Sequence, residues 1–475
     1  MSFGAAMTTP PFVEQVRSRY HPERMSRPVV VLALALLVLG SPAASGAEQG
    51  VDFSGEPHGF VGDTKCGNPT CHGSGLPTTD AERVSWKPWK SARTQWLNRN
   101  IDRHSRAYAT LLTEGGKQIA RYMGIDGTQS DKCLACHAPA AKLAPGSSYK
   151  KTDGVTCEAC HGPAQEWLQA HVERDWDSKK SSYYARGFFD NANFQLRAER
   201  CAACHTEIDH EIVAGGHPPL QFEMVAYAQI MKHWDDQEDV PPGSFSVDPT
   251  LWAVGQVVGM RRLLDMVASR AGESNYQSIG KFSHFEDRNC FQCHHKLVAD
   301  AVRQTRGHYL MIDQILGVRG AGRGSLSGAW SDLVSAAGSS ADATRQKAQA
   351  LKGQLAGLDA GLMSNRLNQA ETKRLLKAIL ASGDKLRSID RFSYSRPPRS
   401  NVLGIVNIDE PWWYTTGGPE QAVLAVGALC DPGFGAAACR AITPQRRTLI
   451  DAVDRFSYNP DQFVRSLAAI NGALK

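Results

Sequence analysis

Hydrophobic positions fall into three regimes along the 475 residues. The first is an unbroken apolar run from Val29 to Leu39, preceded by Arg24 and Arg27 and followed by Ser45-Gly46-Ala47. A run of that length between a basic flank and a small-residue site has the make-up of a secretory signal peptide, and it is too short to span a bilayer. The stretch from Met25 is complete as a signal peptide by itself, so residues 1–24 read as an upstream start and 1–47 as the leader. The second regime, residues 48–310, shows short helical patches around 86–123, 220–234 and 250–270. Between them lie turn-forming clusters such as Asn68-Pro69, Ala144-Pro145-Gly146 and Pro241-Pro242-Gly243. No sustained alternation predicts a sheet. The third regime follows the glycine-rich stretch Gly320 to Gly328, which reads as a flexible joint. Leu351, Leu355, Leu358 and Leu362 then recur at helical spacing, Leu375, Leu376 and Ile379 continue the pattern, and 419–430 and 445–456 have the same character. The phrase Asp-Arg-Phe-Ser-Tyr occurs at 390–394 and again at 454–458, a hint of a duplicated helix end.

Hydrophobic content of 42% and charge of 21% are those of a folded globular chain. The cysteines change the picture. Of twelve, ten form five pairs, each closed by a histidine. They are Cys66-x4-Cys71-His72, Cys133-x2-Cys136-His137, Cys157-x2-Cys160-His161, Cys201-x2-Cys204-His205 and Cys290-x2-Cys293-His294. Chance would supply on the order of 0.01 such C-x-x-C-H matches in this composition. Two thiols three positions apart can form thioethers to the two vinyl groups of one porphyrin, and the next residue then lies under the iron as its proximal ligand. A zinc site combines two such pairs, or one pair with distant histidines, and has no use for a histidine fused behind every pair. A disulfide framework gives no reason for those histidines either. The chemistry indicated is covalent attachment of five haem c groups. Cys430 and Cys439 have no histidine behind them and read as a short-loop disulfide, contributing about 2–3 kcal/mol.

Nine histidines beyond the leader are left for the second axial position: His58, His104, His171, His210, His217, His233, His284, His295 and His308. His104, His171, His210 and His217 stand in settings suited to a fixed ligand. His295 adjoins the proximal His294, so it either reaches a neighbouring haem or faces solvent. The remaining four are weaker candidates.

Asp153-Gly-Val-Thr-Cys157-Glu-Ala-Cys-His-Gly-Pro closely resembles the third haem site of the cytochrome c-554 family. The segment His104-Ser-Arg-Ala-Tyr108 resembles that family's distal-ligand helix, His171 occupies the place of another distal ligand, and the order of the first four motifs matches. The resemblance covers roughly residues 58–220. The later segments Ala214-Gly-Gly-His-Pro-Pro and Cys290-Phe-Gln-Cys-His-His look like those of larger secreted relatives with a fifth haem. It implies closely packed haems, mostly with two histidine ligands, passing electrons from an oxidoreductase to later carriers. It also implies that the second haem, on Cys133, Cys136 and His137, lacks a distal protein ligand. This chain departs from the family in its wider first motif, its fifth haem site and its long C-terminal segment.

The expected fold is therefore mainly α: a pentahaem cytochrome c domain over 48–310 with little regular sheet, followed by a haem-free helical domain over 322–475. The formal charge of +5 includes a net +2 in residues 1–47, from four Arg and two Glu, which leaves +3 on the mature chain. Five haems at roughly −1 each, from two propionates and a ferric iron, bring the holoprotein to about −2. With no clustered basic patch, nucleic acid is not an expected partner. A periplasmic or otherwise exported protein with no transmembrane segment in its mature chain is expected, working with redox partner proteins. Five attachment sites within 66–294 suit an electron relay. A multihaem oxidoreductase acting on a small nitrogen or sulfur compound at one open haem is the alternative. A structural subunit of a larger respiratory assembly is a third reading, drawn only from the haem-free segment. N-terminal sequencing of the exported protein is expected to begin just after Ala47, and translation initiated at Met25 alone should export it equally well.

Overall fold

Turn-forming residues interrupt the first half of the chain every few positions, and it folds as a series of short helices. In this computed structural model the described residues are 53, 57–68, 71, 103–140, 142–206, 208, 212, 215–217, 220, 222–230, 248–272, 305–320, 322–337, 339–387, 417–453 and 458–475. Most of them are helical, no sheet forms among them, and one isolated parallel bridge joins Phe60 to Leu143. The leader at 1–47 lies outside them, as do both copies of Asp-Arg-Phe-Ser-Tyr apart from Tyr458.

Helices of the first half include α1 (Asp63–Cys66), α2 (Ala107–Leu111), α3 (Glu114–Met123), α4 (Asp131–His137), α5 (Cys157–His161) and α6 (Phe194–His205), among the described residues. Residues 86–102 of the patch expected at 86–123 lie outside the described residues; the rest is divided between α2 and α3, because Thr113 starts a new helix, its hydroxyl accepting from Gly116 N–H at 3.2 Å. Gly124, at φ 65°, ends α3 in the left-handed conformation.

The second half is built from longer, better-capped helices. After α7 (Met224–Ile230) comes α8 (Pro249–Gly272), whose entry is fixed by Asp248 accepting from Thr250 N–H at 2.8 Å and by Pro249 at its first position. There follow α9 (Arg306–Arg319), α10 (Arg323–Ala337), α11 (Ala341–Leu355), α12 (Leu358–Ser364) and α13 (Gln369–Ala381). Next are α14 (Gly418–Phe434), α15 (Ala436–Ala441), α16 (Thr443–Ala452) and α17 (Pro460–Ala473). Asn368 and Glu371 form a reciprocal capping box on α13. Its Leu375, Leu376, Ile379 and Leu380 all point inward, as their spacing predicts. Cys430 near the end of α14 is disulfide-bonded to Cys439 in α15, across the break at Gly435, where φ is 83°. Among the described residues no helix is long and apolar enough to cross a membrane.

One hydrophobic core runs from Phe194 on α6 to Leu474 at the chain's end. Trp252, Leu264, Met311 and Ile315, from α8 and α9, share it with the leucines of α11 and α13. The boundary expected at 310–322 thus falls inside a shared core. Within the stretch expected as a flexible joint, Gly320, at φ 71°, ends α9, Gly322 has φ 75°, and α10 begins at Arg323. The glycines at 324 and 328 enter a helix because Leu326 and Leu333 bury one face of α10 in the core, and that packing outweighs their poor propensity. By contrast, the cluster around Phe53, Phe60 and Ala203 is small.

A Cβ at Gly255 would meet Met224 Cβ at 2.5 Å, whereas one at Gly353, on the exposed face of α11, meets nothing within 4 Å. Gly255→Ala is expected to destabilise the protein by about 1–3 kcal/mol. Gly353→Ala should stabilise it by roughly 0.5–1 kcal/mol. Urea denaturation of the mature protein checks both.

Candidate haem attachment and iron-ligand sites

Cysteines at i and i+3 with a histidine at i+4 lie on one face of a single helical turn, and the described motifs use that geometry. The Cys133–Cys136–His137 turn closes α4, Cys157–Cys160–His161 is the whole of α5, and Cys201–Cys204–His205 ends α6. Each helix stops at its histidine. After His161 the stop requires Gly162, at φ 83°, because a Cβ there would collide with Gly187 O. In the first motif, which has two more residues between its cysteines than the others, α1 ends at Cys66 and Cys71 N–H donates to Asn68 O at 2.8 Å. All eight of these cysteines are half-buried thiols. His72, Cys290, Cys293, His294, His295 and His210 lie outside the described residues, as do His233 and His284.

The turns meet in pairs. The thiols of Cys66 and Cys157 are hydrogen-bonded, and that contact, with burial added, holds Cys66 well above the usual thiol range. Cys136 bonds to Cys204 and is lowered by it. Burial pushes Cys201 up to about 12. The first turn thus adjoins the third, and the second adjoins the fourth.

Facing histidines complete two of the turns. The rings of His205 and His104 are 5.9 Å apart between centroids and nearly perpendicular, at 80°. His137 and His217 stand 6.4 Å apart at 75°. Two imidazoles sharing one metal, each with a bond of about 2 Å, place their ring centres about 6 Å apart. His137 Nδ1–H donates to Ala107 O at 2.6 Å, which directs Nε2 to the metal position and fixes the tautomer. Burial lowers the pKa of His137, and it takes His205 down to about 4, so both rings are held in the neutral, ligating form. The residues present fit haem iron held between two histidines. The resemblance implied an open second iron; here His217 faces the proximal His137.

The other candidates are placed differently. His171 Nδ1–H donates to Leu168 O at 2.5 Å, and its ring stands edge-on to Trp167 and Trp176. His58 Nε2–H donates to Ala185 O at 3.1 Å. His308 is a core residue: Nδ1–H donates to Gln256 Oε1 at 2.8 Å, and the ring edge lies against Gly259, where a Cβ would come within 2.7 Å.

Two positioning features have no simple signal in the sequence. Asp153-Gly154-Val155 holds the His104 turn: Val155 N–H donates to His104 O at 3.1 Å, and Gly154, at φ 72°, lets the backbone pass where a Cβ would be 2.6 Å from that oxygen. Glu158, inside the third motif and 1% exposed, accepts from the N–H groups of Val61, Gly62 and Ala164 at 2.8–3.1 Å. It clamps the segment leading into α1 onto α5. Burial raises its pKa, and the three amides oppose that shift. A glutamate between two cysteines reads as an ordinary surface position until the chain brings residues 61–62 to it.

Around the fourth turn, the Tyr227 ring packs 4.4 Å from His205. One helical turn earlier, buried Glu223 accepts from Val225 and Ala226 N–H at 3.1 and 2.7 Å. Burial pushes its carboxyl up to about 7, with the two amides opposing.

Comparison with known families finds one match: residues 87–162 fit the family described as Cytochrome c554 and c-prime. That span contains His104 and the second and third motifs. No curated protein and no solved structure matches the chain.

Glu223 binds its proton more tightly in the fold than in the unfolded chain. Its contribution to stability is therefore full below its ordinary value of 4.5 and is lost as pH rises through about 7. Glu223→Gln should flatten the stability-against-pH curve between those values, measured by denaturation at stepped pH.

Proposed function

We propose, from the similarity of residues 87–162 to the family described as Cytochrome c554 and c-prime, that this chain is an exported pentahaem electron relay whose second and fourth irons each carry two histidine ligands. The observation that carries the reading is the pair of facing imidazoles, His137 with His217 and His205 with His104. Cys133 and Cys136, and likewise Cys201 and Cys204, would hold the porphyrin edges by thioethers, and Cys66, Cys71, Cys157 and Cys160 would serve the first and third haems. Cys290, Cys293 and His294 would hold the fifth. Bound haem supplies a one-electron ferric/ferrous couple.

The chain's own residues then have three tasks. They bring the motifs within thiol contact, first with third and second with fourth, so that electrons cross short gaps. They occupy both axial positions, so that a change of redox state needs no ligand exchange. They also limit water at the described proximal rings, those of His137, His161 and His205, which are half-buried. The disulfide between Cys430 and Cys439 supports an oxidising, exported location. Redox proteins are the expected donor and acceptor. A substrate-binding second haem, the basis of the enzyme reading, is disfavoured by the position of His217.

Haem-to-protein stoichiometry and electron paramagnetic resonance test this. Five haems per chain are expected, with the second and fourth low-spin. His217→Ala should turn one haem high-spin and open one site for cyanide, and His104→Ala should do the same at the fourth. A wild-type second haem that is high-spin and binds cyanide would overturn the relay reading in favour of the enzyme.

A further inference from the structure

Arg200 precedes Cys201 and lies one helical turn before Cys204, the spacing that puts positions 200 and 204 on the same face of α6. Its guanidinium covers the Phe189 ring at 3.5 Å from the centroid and stands 5.5 Å from that of Phe53. Phe189 belongs to the neighbouring turn: its N–H donates to His161 O at 3.0 Å. Arg200 is thus part of the fourth attachment turn and is packed against the third. Its charge is felt by both Cys160 and Cys204.

Among the described residues no carboxylate is ion-paired with it, although Glu199 acts on it through space. Glu199, its neighbour in sequence, projects from a different face of the helix, lies 3.5 Å from Arg261 and accepts from the Gln195 amide at 3.1 Å. Arg262, the other charged group acting on Arg200 from α8, carries the same sign. A lysine so placed can lose its proton, but a guanidinium keeps its charge when buried. The cation is covered by aromatic rings, so water screens it less than at an open surface.

We propose that Arg200 tunes the third and fourth haems together, its fixed positive charge between their attachment turns favouring the reduced state of both. The inference rests on the haem assignment above. Reduction adds one negative charge at each iron, and a nearby cation stabilises that charge by an energy that falls with distance. The two couples closest to Arg200 therefore gain most. The effect makes this pair the electron sink of the relay.

The test is a haem-resolved redox titration of holoprotein carrying Arg200→Gln, with Arg200→Lys, titrated at a pH low enough to keep its ammonium protonated, as the charge-retaining control. In Arg200→Gln, two couples should shift to lower potential. At fixed ambient potential their ratio of reduced to oxidised haem should fall roughly five- to tenfold. Arg200→Lys should recover most of that loss. If the Gln variant does not mature, Arg200→Met preserves the apolar stem and gives the same readout. Potentials unmoved in the neutral variant, or moved equally by Gln and Lys, would overturn the proposal. Haem counting on the same wild-type preparation keeps the two claims apart: missing third and fourth haems would refute the assignment, whereas haems present with unmoved potentials would refute only the role of Arg200.

Discussion

The imidazole of His205 meets that of His104, and the two rings come from opposite ends of the segment 103–206. That facing constrains almost everything between them. His104 stands in a short helical turn pinned by Gly154 and Val155, so the residues entering the third motif also set the partner of the fourth. His205 closes α6, whose other face is Phe194, Ala198 and Ala202 in the main core. A ring held this way cannot move unless the helical bundle moves with it. If His205 and His104 share an iron as proposed, the C-terminal helices hold that pair in place without contributing a ligand.

Packing the motifs so tightly has electrostatic consequences. Glu158, beneath the third turn, is buried with three amides directed at it, while Arg200 lies between the third and fourth turns with no carboxylate on it among the described residues. Buried groups of this kind survive only where the backbone or aromatic faces replace the lost water. The environment around the turns is therefore graded in charge, and in a relay such gradation sets the direction of electron flow.

The second half obeys simpler rules. Capping residues, prolines at first helical positions and leucines at helical spacing place α8 to α17, and the expected helices at 419–430 and 445–456 appear as α14 and α16 with their ends moved by a few residues. The glycine-rich stretch is the informative miss. Composition favours a loop, but Leu326 and Leu333 gain more from burial than the glycines lose in backbone entropy. On the near side of the boundary expected at 310–322, α8 and α9 contribute apolar faces to the core that the later helices complete.

The sequence by itself determined what is covalent or local. Cysteines three apart with a histidine behind them name the cofactor chemistry, because thioether spacing and a proximal ligand are properties of one helical turn. The pairing of Cys430 with Cys439 and the mainly helical class were legible for the same reason. Only the tertiary structure decided which histidine faces which. His217 stands opposite His137, His308 is a core residue bonded to Gln256, and Glu158 holds residues that lie far before it in the chain. Each of those is a contact between distant segments. Histidine has the same appearance in a sequence whether it ligates iron or fills a core, and the difference lies in where packing directs its Nε2.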